Sequence, residues 1–100
     1  MNQSSTPTTD SGRIMLTAYG YNSPGILAAI TEILSKHQCD ILDMTQKLLQ
    51  EFFTLMMLVD ITNSPSDFST IQSELNALNE RMKMRVIVQH VDVFNAMYRI

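Results

Sequence analysis

The sequence predicts an α+β domain of the ferredoxin-like type, with element order βαββαβ, an antiparallel four-stranded sheet and two helices on one face. Two stretches carry apolar residues at helical spacing, and four shorter ones are rich in β-branched, aromatic and other strand-forming residues. The tripeptide Asn-Ser-Pro stands before each helical stretch, at residues 22–24 and again at 63–65. Each half therefore reads as one βαβ unit, and the two crossovers open with the same punctuation.

Residues 1–12, MNQSSTPTTDSG, hold no large apolar side chain beyond Met1, so they predict a flexible tail ahead of a domain spanning 13–100. RIMLTAY, from Arg13, predicts a strand ending at Gly20. PGILAAITEILSKH then places Ile26, Leu27, Ile30, Ile33, Leu34 and His37 on one helical stripe. Ser23 is the expected cap, with Pro24 in the first helical position. CDILDMTQKLLQ and FFTLMMLVDIT predict a hairpin hinged near Gln50 and Glu51. A second helix follows in PSDFSTIQSELNALNERM, with Phe68, Ile71, Leu75, Leu78 and Met82 on one face and Ser64 and Pro65 at its start. RVIVQHV is the last strand, and DVFNAMYRI predicts a short C-terminal helix capped by Asp92.

Composition narrows the function classes. One hundred residues make one domain, and a net charge of -3 gives no basic footprint for nucleic acid. Charged residues are 17% of the chain against about 25% in an average soluble domain, which predicts a partly apolar surface covered by a partner. The one cysteine, Cys39, has no internal disulfide partner, and no apolar stretch approaches a membrane span. With no signal-peptide pattern at the start, a cytoplasmic protein is the expectation.

The residues after the two Asn-Ser-Pro turns differ. Ser64 and Asp67 have capping-box spacing, so the second helix would set its own carboxylate against its own first-turn amides. After Pro24 come Gly25, Ile26 and Leu27, with no acid before Glu32, leaving bare amides at the positive end of the helix dipole. An anion could sit there; equally, Gly25 could serve only tight packing, with water on the amides.

GYNSPGILAAITEILSKHQCDILDM resembles the first half of an ACT domain: a strand, an Asp/Asn-x-Pro-Gly turn, a helix, and a strand introduced by Asn-Ile or Asp-Ile. With DILDMTQKLLQEFFTLMMLVD and the ending VDVFNAMYRI, the resemblance covers residues 13–100 and is greatest to small stand-alone bacterial ACT-domain proteins of unassigned function. It implies a regulatory domain that pairs with a second copy and binds a small effector, typically an amino acid, at the pairing interface. Carried over residue by residue, Asn22, Ser23, Pro24, Gly25 and Ile26 match the ligand-binding turn, and Asp40 and Ile41 match the start of the facing strand. Many ACT domains have Asp where this chain has Asn22, and serine-type binders have Asn where it has Asp40, so the effector's identity does not transfer. Physics gives the same ligand class: a zwitterion needs an anion site, offered by the amides after Pro24, and a cation site, offered by Asp40. Asn22 could bridge either group, and Asp40 could instead be a solvated loop acid.

The second hairpin strand is apolar on both sides, and two helices cover only one face of the sheet. Phe52, Met56 and Leu58 therefore need another cover, either a second subunit or the segment from Val93 to Ile100. A homodimer is expected. HQCD at 37–40 invites a metal reading, but His90 is the only other histidine, and neither a metal nor a cofactor is expected. No nucleophile, acid and base converge, so the chain does not read as an enzyme. The expected function is a ligand sensor that binds an amino acid or similar metabolite at a dimer interface and signals to a protein partner. The alternative is a protein–protein interaction module with no small effector.

Overall fold

A computed structural model describes residues 12–91. Its elements are β1 (Arg13–Tyr21), α1 (Ile26–Lys36), β2 (Asp40–Leu49), β3 (Phe52–Asp60), α2 (Phe68–Asn76), α3 (Leu78–Arg81) and β4 (Met84–His90). All of the expected tail except Gly12, whose carbonyl accepts from the Ile61 amide at 2.7 Å, and the expected C-terminal helix lie outside the described residues. The strands form one antiparallel sheet in the order β2-β3-β1-β4, the arrangement of the ferredoxin-like fold.

Alternation along the strands decides which face is buried. Leu16 of β1, Leu55 and Met57 of β3 and Val86 of β4 point to the helices, where Ile30 and Leu34 of α1 and Ile71 and Leu75 of α2 meet them. The intervening residues of β1, β3 and β4 face the other way and form an open sheet face. β2 is an edge strand, exposed along its whole length. Gln50, at φ 57, turns β2 into β3 through the expected two-residue hinge.

Both helices start later than the Asn-Ser-Pro punctuation predicts. Neither serine caps a helix, and neither proline sits in a first helical turn. α1 is entered from Gly25, which adopts the left-handed conformation at φ 89. α2 is capped by Asp67, whose side chain accepts from the Thr70 amide at 2.9 Å. Ser64 Oγ accepts from the Ser66 amide instead, so the serine shapes the turn before the helix. The predicted second helix is also interrupted at Ala77, which separates α2 from α3. Ile71, Leu75 and Leu78 nevertheless stay buried on one stripe.

Candidate functional site

Two groups of candidate residues lie on different parts of the α1 layer. At its N-terminal end, Tyr21 closes β1, Asn22 donates its amide to Glu51 O at 2.7 Å, and Pro24 and Gly25 turn the chain into α1. Asn22, Pro24 and Gly25 are exposed, Ser23 is half-buried, and Ile26 is in the core. The first helical hydrogen bond runs from Ala29 N to Gly25 O, so the amides of Ile26, Leu27 and Ala28 precede the helical ladder. No acidic residue lies in this first turn. A Cβ placed on Gly25 would meet nothing within 4 Å, so no close packing demands this glycine. Its positive φ accounts for it without a ligand.

At the other end, α1 closes through Gln38 at φ 58, with Cys39 N returning to Leu34 O at 2.9 Å. This sharp exit sends the chain straight into Asp40 and β2. Beside it lies a groove of about 540 Å³ lined by Thr31, Ser35, Gln38, Cys39, Asp40, Ile41 and Asn63, with Leu34 at its base. Hydroxyls, amides and one carboxylate face it, a set suited to an ammonium group and to neutral hydrogen-bonding groups. Cys39 is half-buried, and burial pushes its thiol above the ordinary range, which is the wrong direction for a nucleophile.

His37 does not share in this groove. It is buried, with Nδ1 against Ser66 Oγ and Nε2 3.0 Å from Glu74 Oε2, an approach outside hydrogen-bond geometry. Glu74 Oε1 meets Lys36 Nζ at 2.7 Å. The carboxyl of Glu74 is held below its usual range, first by Lys36 and then by His37. HQCD is therefore split by the fold: His37 locks α1 to α2, while Asp40 is among the residues that line the groove.

Strand register fixes how far apart the two groups are. Tyr21 and Leu49 both pair with Phe52, whereas Asp40 and Arg13 both pair with Asp60. Eight residues of β3 separate those rows, about 26 Å. One chain therefore does not bring Asp40 to the Asn22–Ile26 turn, and the few-ångström spacing that a zwitterion needs is not met within it.

The comparisons with known proteins belong to this geometry. Residues 12–89 match the family description of the ACT domain. The chain belongs to the ACT-domain family. A UPF0237 protein of Methanocaldococcus jannaschii is 39% identical over 88 residues, which cover 88% of this chain and 98% of the relative. An ACT domain protein from Streptococcus pneumoniae superposes with a TM-score of 0.70 at 24% identity, over 82% of this chain and 92% of that one. The ligand-free regulatory subunit of aspartate kinase from Thermus thermophilus shares the fold, with a TM-score of 0.61 at 12% identity, over 79% of this chain and 51% of that one.

Sequence reasoning misses Gln38, Ser35 and Asn63 as neighbours of Asp40. The positive φ of Gln38 has no sequence signature of the kind that glycine supplies, and Asn63 reads only as part of a turn. Phe52, Met56 and Leu58 all lie on the open sheet face, with Phe52 packed on Tyr21 at a ring separation of 5.0 Å. Phe52 and Met56 are exposed and Leu58 is half-buried.

Proposed function

We propose that this ACT domain is a regulatory sensor, not an enzyme, and that its effector is an amino acid or a similar small metabolite held between two copies. The effector's anionic group would meet the amides after Pro24 in one copy, positioned by Asn22, Ser23, Gly25 and Ile26. Its ammonium group would meet Asp40 beside Ile41 in the other. The observation that carries this reading is the opposition of the two half-sites along the sheet, about 26 Å apart by register. A partner running antiparallel brings its Asp40 end level with the turn of the first copy. Family membership supports the regulatory role, and the low charge content with a lone half-buried cysteine fits a cytoplasmic protein.

Thermal unfolding with each common amino acid at millimolar concentration tests the reading. A ligand at one hundred times its dissociation constant adds about 2.7 kcal/mol, a rise of several degrees for a domain this size. Gly25→Asp, which puts a carboxylate at the anion site, and Asp40→Ala should each abolish the rise while leaving a folded protein. If the wild type responds and both variants respond equally, the half-sites are misassigned. If no amino acid raises the midpoint, the second reading gains: a protein-binding module without an effector, favoured by the apolar open face that includes Met56 and Leu58.

A further inference from the structure

We propose that the cleft between the β1–α1 turn and the α3–β4 turn is a binding site for a phosphate monoester, with Arg81 and Lys83 on the phosphate and Tyr21 and Met82 against an apolar body. The site is complete within one chain and takes a different ligand chemistry from the amino-acid reading, so it stands or falls apart from that reading.

The cleft follows from how β4 meets β1. Gly20 pairs with Met84, and a Cβ on Gly20 would come within 3.0 Å of Met84 Cα and 3.1 Å of Lys83 O. With no side chain there, the start of β4 lies tight against the end of β1. Lys83, at φ 53, is the left-handed residue that turns the chain from α3 into β4, a place that glycine or asparagine usually fills. The result is a concavity of about 450 Å³ lined by Tyr21, Ser23, Arg81, Met82 and Lys83. Of residues 22–26 only Ser23 lines it, so the cleft lies beside the turn and is distinct from the amides after Pro24.

Charge sets this cleft apart. The groove beside Asp40 holds a carboxylate, a dent in the open sheet face holds Asp43, and a hollow between the helices holds Glu32 and Glu74. The cleft at Lys83 is lined by two cations and no acid. Among the described residues the ion pairs are those of Glu74 with Lys36 and His37, so neither Arg81 nor Lys83 has a carboxylate partner. A phosphate monoester carries between about one and a half and two negative charges near neutral pH, which matches both cations where a monocarboxylate matches one. Its oxygens can accept from Arg81, Lys83 and the hydroxyls of Tyr21 and Ser23. A nucleic-acid strand would run on from the cleft over a molecule of net charge -3, so a small ligand fits better. Tyr21, its ring packed on Phe52, and half-buried Met82 supply the apolar walls.

Titration of the nitrogen-15-labelled full chain with phenyl phosphate at constant ionic strength, followed by amide shifts, tests this. Saturable shifts are expected at Ser23, Met82 and Lys83, with inorganic phosphate and benzoate each binding more weakly. Arg81→Gln and Lys83→Gly should each weaken phenyl phosphate roughly tenfold. Both variants should fold, since Arg81 is exposed and glycine suits the left-handed position 83. Lys47→Gln removes the same charge from β2 and should leave the affinity unchanged. Shifts that do not saturate at millimolar ligand overturn the proposal, and so does an equal loss in Lys47→Gln, which would reduce binding to net charge. Full affinity in both Arg81→Gln and Lys83→Gly also overturns it. Benzoate binding as tightly as phenyl phosphate overturns the choice of phosphate, and inorganic phosphate binding as tightly overturns the part given to Tyr21 and Met82. No amino acid enters this titration, so its failure leaves the sensor reading in place, and failure of that reading leaves this site in place.

Discussion

Gly25 is the residue whose role differs most from the one its sequence context suggests. A glycine after Asn-Ser-Pro suggests a backbone kept clear for a ligand, whereas its φ of 89 makes it the left-handed entry to α1. Gly25→Ala should therefore cost about 1 kcal/mol in urea unfolding, all of it conformational, because a Cβ meets nothing within 4 Å. Gly25→Asn should cost less, since Asn tolerates that region; equal losses for the two would point to a contact that the structure lacks. Legibility at this scale was uneven. Asp40 is a candidate from the family resemblance and its place before a strand, whereas Gln38 and Ser35, which line the same groove, carry no sequence signal, because the feature that gathers them is a helix exit at positive φ on a residue whose side chain gives no warning.

At the scale of elements, periodicity recovered all four strands, α1 and the body of the second helix. The buried sides of β3 and the hinge at Gln50 and Glu51 stand where alternation put them. Helix starts did not. Both prolines lie before the helices they announce, because Gly25 and Asp67 each offer a better entry one to two residues later. Asp67 makes this testable through pH. Its carboxyl is held below the usual range by the hydrogen bond from Thr70, so its contribution is complete above the unfolded carboxylate range and is lost as pH falls through the folded value. Asp67→Ala should melt below the wild type at pH 7, and the gap should narrow as the medium is acidified below the ordinary carboxylate range. A gap that stays constant in a melting series down to about pH 2.5 would mean that the charge of Asp67 does not support α2.

For the whole molecule, the sequence led to the fold and the family, but not to the distance between the half-sites. Turn and strand look like neighbours because they are near in sequence; the β1–β3–β2 register carries them to opposite ends. That separation predicts complementation. Gly25→Asp chains and Asp40→Ala chains, each unresponsive alone, should form a mixed dimer with one intact site, built from the turn of the second and the carboxylate of the first. Calorimetry of the mixture should regain about one quarter of the wild-type sites at random pairing; no regained binding would place both half-sites within one chain. If the effector is held between two copies as proposed, the chain's own abundance becomes part of the signal. While monomers prevail, the number of completed sites would rise with the square of protein concentration, so a cell making little of this chain would need more of the metabolite, which itself draws copies together, to reach the same response.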